Sequence, residues 1–273
     1  MIAHGSAFPV AKLALNNSVP PVLMASLRMF LVFIILIPFW RFQIPSKKFF
    51  KPLLIFSISM GVLVYVFMNL SLYHSSIISP IILGSQLAIP FGILASAFIL
   101  KENISKNKWC LILTSFLGIL IIFFDPKLNE NYLGLFFASL MALFFGLAQV
   151  YSRQLKELPI SMINASTGIF GFFILLFFST LLEGNIFKNI EQINISSWIL
   201  ISYQAIIVSL CAHLLMFYLY KFYTVGQIFP FYSLFPIFGI ILTFIIFGEV
   251  PTLMFILGGI IVISSVFLMH KIK

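Results

Sequence analysis

The 273 residues are 62% hydrophobic and only 8% charged, with a mean hydropathy of +1.15. A soluble domain carries about 25% charged residues, so no water-facing surface can be made here, and the chain reads as an all-α, polytopic membrane protein. The long apolar runs do not alternate, which excludes a transmembrane β-barrel. The net charge of +9 falls between those runs, where it sets topology and leaves no nucleic-acid footprint.

A hydrocarbon core about 30 Å thick takes about 20 apolar residues of helix. The chain opens with HGSAFPVAKLALNN (residues 4–17), which is too short to cross by itself. It reads as the second half of a transmembrane helix whose first half is absent or short. A signal peptide is disfavoured, because there is no basic n-region and no small-residue cleavage site. Nine further spans are predicted at residues 22–40, 52–73, 77–100, 109–124, 133–152, 160–182, 198–220, 225–248 and 251–270. If the opening stretch crosses from inside to outside, the inner loops and ends receive Arg41, Lys47, Lys48, Lys51, Lys101, Lys106, Lys108, Arg153, Lys156, Lys221, Lys271 and Lys273. The outer loops receive only Lys127 and Lys188. Twelve against two is the asymmetry expected of a multi-pass protein with both termini in the cytoplasm. Cys110 and Cys211 sit in or beside apolar runs and read as small core residues, with no disulfide or metal site expected.

The chain repeats itself. HGSAFPVAK (4–12) matches FGLAQVYSR (145–153), aligning Gly5 with Gly146 and Lys12 with Arg153. PFGILASAFILKE (90–102) matches PIFGIILTFIIFGE (236–249), with one residue more in the second copy. The halves are 1–124 and 133–273, five spans each. An odd number of spans inverts the second half relative to the first, and inverted repeats with a site at their interface are a recurring transporter design.

These residues carry a family resemblance. Gly5, Ser6, Phe8, Lys12, Pro21 and Arg28-Met29 resemble the start of the EamA-type transporters of the drug/metabolite transporter superfamily, with Met29 where the family has Phe. Pro236…Gly248-Glu249 resembles the end of the fourth helix of each repeat, and Pro90…Lys101-Glu102 is its first-repeat counterpart, with Gly replaced by Lys. The resemblance implies ten helices in two inverted five-helix repeats, both ends cytoplasmic, and transport of small metabolites. It places the chain in a bacterial inner membrane, with the lipid bilayer and a small-molecule substrate as partners, as monomer or homodimer. His4 stands where the family often has Trp.

No H-E-x-x-H, G-x-S-x-G or P-loop pattern is present, and no cofactor is expected. The spans hold no acidic residue away from their ends, which argues against proton coupling through buried carboxylates. Candidates for lining a cavity are Tyr65, Asn69, Gln86, Gln149, His213, Tyr232 and His4, because intramembrane polar groups face the bundle interior. The competing reading for each is helix packing. Pro90 and Pro236 occupy matching repeat positions and are candidate hinges. Lys12 with Glu249, and Arg153 with Glu102, place one opposite-charge set at each mouth; they are candidate gates, the competing reading being charges that only mark helix ends and topology. Arg28, about 10 Å into its span, either snorkels to the surface or caps a neighbouring helix, or attracts an anionic substrate group. The function that fits is a secondary transporter, exporter or exchanger, of a small metabolite such as an amino acid or nucleoside-like compound. An intramembrane enzyme lacks a reactive cluster, and a channel is disfavoured by the inverted repeat.

Overall fold

The structure is a computed structural model that describes residues 1–39, 45–128, 131–212, 215 and 234–271. Among the described residues there are helices and no strands. We label the helices α1 (Ile2–Gly5 and Ala7–Asn16, joined at Ser6), α2 (Pro21–Phe39), α3 (Lys47–Tyr73), α4 (Ser79–Ile99), α5 (Lys106–Phe123), α6 (Tyr132–Gln154), α7 (Ile160–Leu182), α8 (Ile195–Ala212), α9 (Phe235–Phe247) and α10 (Leu253–Lys271). Seven of these, α2 to α8, are long and apolar enough to cross a membrane, and α9 and α10 are shorter apolar helices. A short helix, Ile186–Glu191, interrupts the α7–α8 connection; its six residues carry too little apolar periodicity to be read from sequence. α3 starts five residues before the predicted span, because Lys47, Lys48 and Lys51 extend the helix beyond the apolar run.

Bulky side chains such as Phe98, Leu113, Phe177, Leu181 and Ile245 point outward and are exposed, as on a surface that meets acyl chains. Cys110 and Cys211 are free and exposed too. The expectation that they lie in the core is therefore corrected: a thiol is small and apolar enough to face lipid.

The helices pack through glycine. A Cβ on Gly5 of α1 would lie 2.7 Å from the backbone nitrogen of Gly239 on α9, and a Cβ on Gly146 of α6 would lie 2.6 Å from that of Gly92 on α4. Gly5 and Gly146 are repeat mates. Each repeat's first helix thus touches the backbone of the other repeat's fourth helix, a close approach that van der Waals packing in lipid rewards. The repeat mates α5 and α10 meet in the same way at Gly118 and Gly258.

Helix ends show the same reciprocity. α2 begins with Pro20-Pro21, which provides no side-chain cap. Glu183, just past α7, does the capping: its carboxylate accepts from the N–H groups of Val22 (2.6 Å) and Leu23 (2.8 Å) and from Ser179 Oγ (2.7 Å). Glu249, just past α9, caps α4 by accepting from Ile78 N–H (2.7 Å), Ser79 N–H (3.1 Å) and Ser79 Oγ (2.9 Å). Asp125, past α5, accepts from Thr252 Oγ1 beside the start of α10. Gly248 ends α9 in the left-handed region at φ 68°, which turns the chain and frees Glu249 to reach α4. Its first-repeat mate, Lys101, adopts φ 56° although it carries a Cβ.

Candidate functional site

A cavity of about 340 Å³ opens between the repeats. It runs from His4, Phe8 and Tyr65 in the bundle's interior to Glu102, Lys108 and Arg153 at one end. At the opposite end the described residues are tied to one another by helix-end contacts. There Lys12 Nζ donates to the carbonyls of Leu72 (2.7 Å) and Ser75 (2.6 Å) at the C-terminus of α3, and Glu249 holds the N-terminus of α4. A cation on helix carbonyls and an anion on helix N–H groups both complement the local backbone dipoles. The α3–α4 turn is gripped from both sides. Asn131 adds a third hold, its Oδ1 accepting from Ser75 Oγ, Ser76 N–H and Ser76 Oγ.

The charges expected at the two mouths behave differently. Arg153 and Glu102 form an ion pair of 3.1 Å at the cavity's open end. Lys12 and Glu249 share an end but form no ion pair within 4 Å. The expectation of direct pairing there is corrected: both side chains are taken by the backbone of the α3–α4 turn, which offers carbonyls to one and N–H groups to the other.

Of the polar residues singled out from sequence, His4, Tyr65, Gln86 and Gln149 line the cavity. Asn69 does not. It is buried, and its Nδ2 donates to Pro21 O at 2.9 Å. Its neighbour Met68 does line the cavity, but the Asn69 amide is turned to Pro21 and ties α3 to the start of α2. His213 and Tyr232 fall outside the described residues. Arg28 is a second correction. It neither snorkels nor caps a helix: it is 2% exposed and lines the cavity, with Nε donating to Ser209 Oγ at 2.9 Å and the guanidinium 4.1 Å from the Tyr65 ring centre. Ser209 on α8 and Tyr65 on α3 hold the side chain inward, and neither contact can be read from the sequence around Arg28.

Pro90 lies in α4 just after a 3₁₀ turn at Ser85–Leu87. Having no N–H, it leaves the carbonyl of Gln86 without its helical partner, so the break falls at a cavity-lining residue. Pro236 stands at the first turn of α9, where its missing N–H costs nothing. The third helices of the two repeats carry wide π turns, Ser59–Val64 in α3 and Gln204–Ala212 in α8. Met60, Val64 and Val208 from these turns line the cavity, and π turns concentrate at functional sites. Sequence reasoning missed them, because a π turn has no compositional mark. It also counted Lys108 only as a topology charge, whereas Lys108 lines the open end.

Two inverted five-helix repeats around an interior cavity that reaches one end define a polytopic membrane protein of the transporter type. The profile described as "EamA-like transporter family" matches residues 1–124 and 132–270. The chain belongs to that family. A solved structure described only as "Crystal structure of protein" is similar in fold, with a TM-score of 0.61 and 16% identity over 97% of this chain and 93% of that one. No curated protein sequence matches this chain.

Proposed function

We propose that this chain is a secondary transporter, exporter or exchanger, of a small metabolite such as an amino acid or nucleoside-like compound, and that it works by alternating access rather than by catalysis. It resides in a bacterial inner membrane as monomer or homodimer. The cavity end, rich in Lys and Arg, faces the cytoplasm under the positive-inside rule, so the state described is open inward.

The observation that carries this reading is the unequal use of equivalent residues. Lys12 and Arg153 are repeat mates, as are Glu249 and Glu102. At the closed end the first of each pair grips the α3–α4 turn; at the open end the second of each pair bind one another. Inverted repeats that adopt two different arrangements can exchange them, which opens one mouth as the other closes. In the outward-open state Lys12 would pair with Glu249, and Arg153 would part from Glu102.

Counterflow tests the function. Purified protein in vesicles loaded with an unlabelled metabolite is expected to accumulate the labelled form transiently and saturably, across a panel of amino acids, nucleosides and organic acids. Uptake that is linear in concentration and shows no counterflow is channel behaviour and contradicts the proposal. Chemical conversion of a lipid or solute would point to an enzyme.

A further inference from the structure

Arg28 has a feature that transport alone does not explain. Its Nη1 is buried in the wall of the cavity without a hydrogen-bond partner. An uncompensated buried charge costs several kcal/mol, and this chain holds no carboxylate to offset it. Its seven acidic residues are Glu102, Asp125, Glu130, Glu157, Glu183, Glu191 and Glu249. Glu102 is engaged by Arg153, and Glu157 by Lys48 at 2.9 Å. Asp125, Glu183 and Glu249 hold helix starts at the closed end. Glu191 is exposed on the short helix, and Glu130 adjoins Asn131 in sequence, outside the described residues. Residues 213–233 contain no acid at all.

Two further observations point the same way. The open end presents Lys108 and Arg153 against the single carboxylate Glu102, a net positive entrance that raises the local concentration of anions. Within the same cavity Gln86, 1% exposed, has an Oε1 with no donor. One unfilled donor and one unfilled acceptor describe the missing partner. We propose that the cavity takes a small organic anion whose carboxylate or phosphate seats on Arg28, while a hydroxyl or N–H of the same molecule donates to Gln86. This rests on the transporter reading but replaces its example substrates: a zwitterionic amino acid would leave its ammonium without a counter-charge, and a neutral nucleoside would leave Arg28 without one.

Thermal unfolding in detergent at matched ionic strength tests it, with sodium lactate and glycerol 3-phosphate against their neutral counterparts methyl lactate and glycerol. At least one anion is expected to raise Tm saturably, with no response to its neutral counterpart; which anion acts separates carboxylate from phosphate. Arg28→Gln is expected to weaken that response at least tenfold, and Arg28→Lys to weaken it less. Without ligand, Arg28→Gln should unfold at or above the wild-type temperature, since an unpaired charge has gone; a purely structural arginine would lower it. If neither anion stabilises the wild type beyond its neutral counterpart, the proposal is overturned, and this comparison needs no variant to fold. The outcome is separable from that of transport. Anion-specific stabilisation without counterflow keeps the anion site and removes the transporter, whereas counterflow confined to neutral solutes, unaffected in Arg28→Gln, does the reverse.

Discussion

Glu249 holds the start of α4 at the end of the bundle opposite the cavity mouth, and the proposed gating makes it a test position. Its carboxylate accepts three hydrogen bonds, from Ile78 N–H, Ser79 N–H and Ser79 Oγ. Hydrogen bonds to a charged group contribute about 1.5–3 kcal/mol each. In Glu249→Gln one acceptor oxygen survives, while the amide NH₂ faces a backbone N–H that it cannot accept from. The favourable charge at the α4 N-terminus, about 0.3–1 kcal/mol, goes as well. Glu249 is only partly buried, so solvent screening trims the sum to about 2 kcal/mol, or about a 30-fold shift from closed towards open. The assay uses a single thiol at Ser85, a cavity-lining position, after Cys110 and Cys211 are changed to Ser. An impermeant maleimide should label Ser85→Cys readily from the cavity end and slowly from the other. Adding Glu249→Gln should speed labelling from the other end by about 10- to 30-fold. The charge swap Lys12→Glu with Glu249→Lys should not restore protection, because a carboxylate at 12 meets carbonyls and an ammonium at 249 meets N–H groups. Restored protection in the swap, or equal rates with and without Glu249→Gln, would refute this account of the closed end.

Other outcomes follow from the packing. Gly146→Ala forces a methyl to within 2.6–2.7 Å of α4 backbone, whereas a Cβ on Gly92 meets Gly146 at an ordinary 3.6 Å. Gly146→Ala should therefore cost about 1–3 kcal/mol of stability and Gly92→Ala little, as read from Tm in detergent. Lys101→Gly relieves a left-handed residue and should stabilise the protein by about 0.5–1 kcal/mol, the relief being partly offset by glycine's greater freedom in the unfolded chain. Asn69→Leu should lower Tm through loss of the bond to Pro21 O while leaving apparent substrate affinity within about twofold; a selective loss of affinity would return Asn69 to the cavity.

The six predicted spans between residues 22 and 182 and the two-repeat organisation were legible because they rest on composition and period, which a bilayer enforces strictly. Gly5 and Gly146 were recognisable as mates, although only the structure shows that each meets the fourth helix of the other repeat. The site was legible in part. Helical spacing puts Tyr65 and Asn69 on one face, but spacing does not specify what each side chain meets: Tyr65 lines the cavity, while the Asn69 amide is held by Pro21 O. Arg28 illustrates the same limit: whether an arginine about 10 Å along its helix turns outward or inward depends on Ser209, 181 residues away. The Lys12–Glu249 pairing failed for another reason. Sequence complementarity weighs side chains against side chains, and here the backbone of a turn was the better partner for both.

The central claim is that the two ends open in alternation. Pulsed electron spin resonance on two doubly labelled proteins in nanodiscs measures it directly, one labelled at Lys101 and Lys156 across the open end and the other at His74 and Val250 across the closed end. Between ligand-free protein and protein saturated with a transported solute, the first distance should shorten as the second lengthens. Distances that both stay fixed, or that change in the same direction, would contradict alternating access in this protein.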